Sequence, residues 1–262
     1  MSKKTENAEF AKKWLSLIEG NDNWSSMVEK SLKRTEVYQD TLITDMDRSY
    51  CRNMSNSSVS KVTITHDKTY DVIKQLWIDG ECFACVLNFA SFFNPGGGFM
   101  KGAFAQEESL CAVSGLYPVL SQLDVYEQRA EKKTPPEYND EIIYSPAVPF
   151  TTSEGELAEP YLVDIISCAA PNCNRIVMTQ QRQYMDALNK RIEAIYLRPY
   201  LNGCNTLVLG AWGCGVFKND PGLISNMFAS IMSKYPGLYR DVVFACGSKE
   251  NAEIFRNNIH MS

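Results

Sequence analysis

Residues 82–109 read CFACVLNFASFFNPGGGFMKGAFAQEES, and they predict a buried strand, a glycine-rich loop and the start of a helix. The first nine residues, Cys82 to Ala90, are small or apolar, which is typical of a strand in the middle of a sheet. The three glycines that follow have no Cβ, so backbone there can press against a ligand. Because open α/β sheets bind ligands at the carboxyl ends of their strands, this order indicates a ligand-binding loop at a sheet edge.

A helix is predicted from Ala105 to Leu120, with Glu107 and Glu108 in its first turn, where the helix dipole favours negative charge. A solvated helix start is the usual explanation for two adjacent glutamates. Neighbouring helical residues point about 100° apart, so these two carboxylates cannot share one role. Beside a glycine loop, one carboxylate can reach a bond to be cleaved while the other holds a neighbouring hydroxyl. One carboxyl that acts first as acid and then as base can serve a glycosidic bond.

The rest of the chain alternates between strand and helix patterns. Strands are predicted at Lys61 to His66, Glu141 to Tyr144, Tyr161 to Cys168, Asn205 to Gly210 and Asp241 to Cys246. Helices are predicted at Ala8 to Glu19, Ser25 to Thr35, Asp71 to Trp77, Met178 to Tyr200, Pro221 to Lys234 and Lys249 to Asn258. The polar segment Thr41 to Ser60 is predicted to be irregular, and Leu123 to Asp140 an exposed excursion. This alternation predicts an α/β sheet covered on both faces, in a domain of residues 41–262 that follows an N-terminal helical extension of residues 1–40.

Composition restricts the class of protein. The 262 residues are 45% hydrophobic and 22% charged, and no apolar run is long enough to cross a bilayer. Nine scattered cysteines and an N-terminus without a secretory signal pattern favour reduced thiols and a cytoplasmic location. With His66 and His260 as the only histidines, we expect no metal site. A net charge of −5 argues against broad binding to nucleic acid.

A second glycine loop, residues 210–221, reads GAWGCGVFKNDP between a buried strand and a helix N-terminus. Free backbone amides and the positive end of a helix dipole favour a phosphate there. The Lys-Ser/Thr that ends a P-loop is missing, so the pattern alone is weak. Phe217 is about equally explained as a core residue and as a ring that contacts a ligand. Cys168 and Cys214 are expected to be buried, unreactive thiols, and Asn172 ends a third strand exit from which it can bond a ligand.

Three blocks, Asn88 to Gly98, Gln106 to Leu110 and Gly210 to Pro221, together resemble the bacterial-type poly(ADP-ribose) glycohydrolases, a branch of the macrodomain superfamily. The resemblance extends from about Leu42 to the C-terminus. It implies a macrodomain-like three-layer α/β/α sandwich with a mixed central sheet. It also implies hydrolysis of ribose–ribose O-glycosidic bonds in poly(ADP-ribose), mainly from the chain terminus, without a cofactor or metal.

The resemblance also assigns roles to individual residues. It implies that Glu108 is the catalytic acid and base and that Glu107 holds the hydroxyl of the adjacent ribose. Phe217 is implied to pack against the terminal ribose. The remaining implied substrate-binding residues are Asn94, Gly96, Gly97 and Gly98 at the terminal ribose, Gln106 beside them, and Gly213, Cys214, Gly215 and Val216 around the diphosphate.

The expected partners are ADP-ribose, poly(ADP-ribose) and ADP-ribosylated proteins, with no membrane contact, and we expect a monomer. Phe92, Phe93, Phe99 and Met100 are expected to give the glycine loop an apolar rim. Two other functions stay open: a macrodomain that binds ADP-ribose without turnover, and a hydrolase of single ADP-ribose units. A nucleotide phosphohydrolase is disfavoured because no carboxylate cluster near the second loop suits Mg²⁺.

Overall fold

The computed structural model describes residues 2–40, 42–56, 60–80, 83–131, 140–175 and 180–259. These residues contain a seven-stranded sheet in the order β1-β4-β5-β3-β6-β7-β2. The strands are β1 (Glu36–Gln39), β2 (Lys61–Thr65), β3 (Ala84–Phe89), β4 (Glu141–Phe150), β5 (Tyr161–Cys168), β6 (Thr206–Leu209) and β7 (Asp241–Ala245). β4 pairs antiparallel with both β1 and β5, whereas β5, β3, β6, β7 and β2 run parallel, so the sheet is mixed as predicted.

Helices cover both faces of this sheet. They are α1 (Lys3–Glu19), α2 (Asp22–Arg34), α3 (Asp45–Met54), α4 (Thr69–Ile78), α5 (Gln106–Cys111), α6 (Leu116–Leu120), α7 (Val125–Glu131), α8 (Gln181–Leu201), α9 (Pro221–Lys234) and α10 (Lys249–Asn258). Alternate residues of the central strands point to opposite faces: Cys85 and Leu87 enter the core under α3, α8, α9 and α10, while Val86 enters the core under the other helices. The predicted three-layer α/β/α sandwich is therefore confirmed.

Two segments predicted to lack regular structure contain helices. The stretch predicted to be irregular contains α3, because Thr44 and Asp47 form a reciprocal capping box that starts a helix with little apolar surface. The predicted exposed excursion contains α7, which buries Val125, Tyr126 and Arg129, while residues 132–139 lie outside the described part of the chain.

The helix predicted over Ala105 to Leu120 is two short helices, α5 and α6. The backbone between them pairs with the end of β4: the Thr151 N–H donates to Val113 O (2.9 Å) and the Gly115 N–H donates to Pro149 O (2.8 Å). These bonds occupy groups that a continuous helix would use itself. A Cβ at Gly115 would also lie 2.6 Å from a methyl of Val28, so the break packs tightly against α2.

The N-terminal helices pack directly on the sheet domain. Trp14 of α1 and Trp24 of α2 are buried in the same core as β3 and α5, and β1 adds a strand to the sheet edge that sequence patterns did not predict. Residues 2–40 therefore share a hydrophobic core with the rest of the described chain. The domain boundary at residue 40 stays a prediction.

β3 is flanked by two parallel neighbours, β5 and β6. The carboxyl ends of these three strands consequently meet at one edge of the sheet, and the first glycine loop, the 169–172 segment and the second glycine loop leave the sheet side by side. This is the edge at which open α/β sheets place ligands.

Candidate active site

The first glycine loop, residues 94–102, folds over the start of α5. Gly96 and Gly97 have φ of 63° and 62°, a backbone conformation that residues with a Cβ rarely adopt. A Cβ on Gly97 would lie 2.5 Å from Oε1 of Glu108 and 3.0 Å from Oε2 of Glu107. The loop backbone therefore lies directly on both predicted carboxylates.

Glu108 is bound by backbone amides through both of its oxygens. The Gly98 N–H donates to Oε1 and the Ala105 N–H donates to Oε2, each at 2.8 Å. The second bond satisfies an amide that the helix start would otherwise leave unpaired. Glu108 is only 7% exposed, yet it lines a cavity of about 200 Å³. The carboxyl group is thus held in one position beside a space that a ligand can enter.

Glu107 is held by groups on β3 and just after it. Its Oε1 accepts from Nδ2 of Asn88 (3.2 Å) and its Oε2 accepts from the Ser91 N–H (2.7 Å). Burial and, less strongly, the nearby Glu108 carboxylate raise the pKa of Glu107, and the bonds from Ser91 and Asn88 lower it; the net pKa is about 8. This pKa predicts that Glu107 is mostly protonated at neutral pH in the free protein.

Asn88 is a further functional candidate, to which the sequence patterns assigned no role. It is fully buried, and its Nδ2 also donates to Oγ of Ser167 (3.1 Å), so it links Glu107 to β5. Its Oδ1 has no hydrogen-bond partner within the described residues. The sequence contained one signal of this role: Asn88 is the amide side chain in the apolar run that forms β3, and a buried polar side chain needs a hydrogen-bond partner.

Gln106 was predicted to bind substrate, and the structure uses its amide differently. Its Oε1 accepts from the Phe89 N–H (2.8 Å), and its Nε2 donates to Leu87 O (2.8 Å) and to Oγ1 of Thr69 (3.3 Å). These bonds fasten the first residue of α5 to the end of β3. The geometry favours a role in positioning the two glutamates over direct contact with a ligand.

The second glycine loop is anchored by Asn219, which is buried. Its Nδ2 donates to Pro171 O (2.9 Å) and Gly213 O (3.0 Å), and its Oδ1 accepts from the hydroxyl of Tyr184 (2.7 Å). Gly213 has φ of 74°, and a Cβ there would lie 2.5 Å from Nδ2 of Asn219. The start of the loop is therefore fixed by the interior of the protein.

The tip of the second loop is open. Gly215 and Val216 are exposed, and a Cβ on Gly215 would meet no atom within 4 Å. Phe217 is half-buried against the core, and its carbonyl accepts from the Cys173 N–H (2.9 Å). Burial raises the pKa of Cys214 to about 12, as expected for an unreactive thiol.

Several rim residues lie elsewhere than predicted. Phe92 and Phe99 are buried in the protein, so they do not form an apolar rim; Phe93, 38% exposed, and Phe104, 60% exposed, are the accessible aromatic rings near the loop. Asn94 is exposed. Its backbone N–H donates to Oγ of Ser91 (3.3 Å), and its side chain makes no hydrogen bond with the described residues, so it is available to a ligand.

The third strand exit is occupied by a local turn. Oδ1 of Asn172 accepts from the backbone N–H (3.1 Å) and Nδ2 (2.9 Å) of Asn174. Cys168 is buried, and burial raises its pKa to about 12.

Within the ranges that the structure describes, no group of three or more His, Cys, Asp or Glu side chains is placed to hold a metal ion. No helix in these ranges is long and apolar enough to cross a membrane.

Comparisons of this chain with a family model and with solved structures both identify the same family. The family model for the microbial-type PARG catalytic domain matches residues 14–152, more than half of the chain, and so begins within the predicted N-terminal extension. No curated protein sequence matches significantly.

Solved structures match over most of the chain. A poly(ADP-ribose) glycohydrolase (PARG) from Thermomonospora curvata, bound to the inhibitor ADP-HPD, is 27% identical with a TM-score of 0.82, over 97% of this chain and 99% of that chain. The PARG from Deinococcus radiodurans in complex with ADP-ribose is 29% identical with a TM-score of 0.77, over 88% and 96%. These matches confirm the predicted macrodomain-like fold. Together with the matching family model, they show that this chain belongs to the microbial-type PARG family.

Proposed function

We propose that the protein hydrolyses the ribose–ribose O-glycosidic bond of poly(ADP-ribose) and releases ADP-ribose, mainly from the chain terminus. The observation that carries this proposal is the Glu108 carboxyl group, held by two backbone amides beside a cavity and covered by the glycine loop. Membership of the PARG family supports the reaction type.

In the proposed reaction, the Glu108 carboxyl group acts first as an acid and gives a proton to the oxygen that leaves the anomeric carbon. The bond between that carbon and oxygen breaks, and the positive charge that develops is shared with the ring oxygen of the ribose. A water molecule then attacks the anomeric carbon and returns a proton to Glu108. One carboxyl group thus serves both proton transfers, and no proton or electron is gained or lost overall.

The other residues would hold the substrate. Glu107 would bind the hydroxyl of the ribose beside the scissile bond. On the ligand side, Asn94 and the amides of residues 96–98 would enclose the terminal ribose, and residues 213–216 would bind the diphosphate. Phe217 would pack against the ribose ring. The exposed tip of the second loop, with free space at Gly215, supports the diphosphate assignment.

We also propose a cytoplasmic monomer that acts on ADP-ribosylated proteins and does not bind nucleic acid broadly. Eight described cysteines are free thiols, which suits a reducing compartment. The net charge of −5 disfavours non-specific attraction to polyanions.

The test is Glu108→Gln, assayed on purified poly(ADP-ribose) and by calorimetric titration with ADP-ribose. We expect the variant to bind ADP-ribose and to lose polymer hydrolysis by a factor of at least ~10². Glu127→Gln is a matched control, because Glu127 is an exposed glutamate in the first turn of α7. Full activity of Glu108→Gln would exclude the mechanism.

The two open functions predict different results for the unmodified protein. A protein that only binds ADP-ribose would titrate with it and release nothing from either substrate. A hydrolase of single units would release ADP-ribose from singly modified proteins and leave the polymer intact. Gel analysis of the polymer products separates terminal release, which gives ADP-ribose, from internal cleavage, which gives oligomers.

A further inference from the structure

The cavity beside Glu108 is a crevice whose other lining residues differ from those assigned to the terminal ribose and the diphosphate. It encloses about 200 Å³, and its wall comes from α1, the end of the first glycine loop, α5 and the start of α4. Phe10, Lys68, Tyr70, Phe104 and Glu154 contribute side chains to it. None of the residues assigned to the terminal ribose or to the diphosphate lines this crevice; Glu108 alone belongs to both places.

This shared residue determines what the crevice can hold, on the condition that the proposed function is correct. An acid that protonates the leaving oxygen must lie between the two halves of the substrate. If the glycine loops hold the half that keeps the anomeric carbon, the leaving half must extend from Glu108 in another direction. The crevice provides space beside Glu108 that is lined neither by residues 94–98 nor by residues 213–217, so it can receive the leaving half.

The chemistry of the crevice suits a nucleotide unit. Phe104 is 60% exposed and offers a ring on which a base can stack, and Nζ of Lys68 lies 5.8 Å from the centre of that ring. Lys68 is exposed and makes no ion pair with any described carboxylate, so its charge is available to a phosphate. The hydroxyl of Tyr70 donates to Thr151 O (3.0 Å), which fixes the ring in the wall, and Glu154 can accept from a ribose hydroxyl.

The size of the crevice limits how much of the unit enters it. Sites that enclose a whole drug-sized ligand usually span roughly 300–1,000 Å³, so about 200 Å³ suits one ring system, with the remainder on the surface. We therefore infer that this crevice binds the leaving nucleotide unit of the polymer, with its base on Phe104 and its phosphates near Lys68.

The test compares two substrates with the same ADP-ribosyl group and different leaving groups: poly(ADP-ribose), and a synthetic ADP-ribose with nitrophenol at the anomeric carbon. We expect Phe104→Ala to lower kcat/KM for the polymer about tenfold, the usual effect of removing one stacking contact, and to leave kcat/KM for the nitrophenyl substrate within about twofold. Lys68→Met should flatten the fall of polymer kcat/KM with increasing salt.

Two control variants match these changes. Phe83 is 63% exposed and lies just before β3, at the opposite end of that strand from the site, and Lys61 is an exposed lysine at the start of β2. Phe83→Ala and Lys61→Met should change neither substrate's kinetics. An unchanged polymer kcat/KM in Phe104→Ala would overturn the inference, as would an equal loss on both substrates, which would assign Phe104 to the ADP-ribosyl half or to folding. If the unmodified protein cleaved neither substrate, the proposed function itself would fail.

Discussion

The raised pKa of Glu107 predicts a specific dependence of stability on pH. A carboxyl group with a pKa of about 8 when folded and an ordinary value of 4.5 when unfolded keeps its proton in the folded state over that whole range. Since the folded state binds the extra proton, the contribution of Glu107 to the free energy of unfolding is highest below pH 4.5 and falls as pH rises towards 8. The expected slope is about 1.4 kcal/mol per pH unit, which gives a total of about 5 kcal/mol as an upper bound.

Glu107→Gln isolates this contribution, because glutamine has the same shape and does not titrate. Its Oε1 can accept the Ser91 N–H. After the Asn88 amide turns over, the glutamine NH₂ can donate to Oδ1 of Asn88, which in the unmodified protein has no partner among the described residues. The measurement is urea unfolding of both proteins between pH 5 and 8, followed by circular dichroism.

In this pH series, other titrating groups cancel in the difference between the two proteins. We expect the variant to gain stability relative to the unmodified protein with each pH unit, by up to about 1.4 kcal/mol. Glu127→Gln, at an exposed position, should give a difference that is constant with pH. A constant difference for Glu107→Gln as well would refute a protonated Glu107 and the burial argument behind it.

The glycine positions give two further predictions. Gly97→Ala combines a positive φ with a Cβ 2.5 Å from Oε1 of Glu108, so it should lower the unfolding free energy measured in urea by about 2–4 kcal/mol and remove most of the activity. Gly203→Ala is the control: φ there is 88° and the Cβ would meet no atom within 4 Å, so it should cost only about 1–2 kcal/mol and leave activity unchanged. A Cβ on Gly215 would meet no atom within 4 Å, so Gly215→Val should leave the melting temperature of the protein nearly unchanged while calorimetry shows ADP-ribose binding weakened about tenfold or more; normal affinity would remove the second loop from the ligand site.

Local patterns in the sequence predicted the central elements accurately. β5, α9 and α10 were predicted at Tyr161 to Cys168, Pro221 to Lys234 and Lys249 to Asn258, and the structure has the same bounds. These segments carry strong local signals: an apolar run for the strand, and Asp220 and Ser248 as helix caps whose side chains accept backbone N–H bonds. Where the residues that determine a helix or strand are adjacent in sequence, the local sequence was sufficient to predict its bounds.

Other elements depend on partners far away in sequence. β1 is four residues long and is a strand because β4 offers it an edge. β4 continues past Tyr144 through two prolines, with Ala147 in a left-handed conformation (φ 54°) where the register shifts, and its predicted end at Tyr144 was therefore wrong. The division between α5 and α6 likewise follows from bonds to the end of β4. No window of local sequence contains these partners.

In the site too, features set by adjacent residues could be predicted from the sequence, and features set by distant contacts could not. Adjacent glutamates beside a glycine loop were visible in the sequence, and so was their location in the first turn of a helix. Their different surroundings were not, because Asn88 lies 19 residues before Glu107 and the Gly98 amide lies 10 residues before Glu108. The positioning role of Gln106 was also hidden, since it depends on the backbone edge of β3.

The bonds to Glu108 also determine how its glutamine variant must be interpreted. Each carboxylate oxygen has two acceptor positions and uses one for a backbone N–H, so Glu108 can keep both bonds while it exchanges a proton with the substrate. Glutamine has one acceptor oxygen, so its NH₂ group would face the N–H of either Gly98 or Ala105, at a cost of about 1–3 kcal/mol. Against a typical global stability of about 5–15 kcal/mol this leaves nearly every molecule folded, and a folded fraction near one cannot account for a hundredfold loss of activity. Retained ADP-ribose binding together with that loss would therefore assign the proton transfer to Glu108 itself.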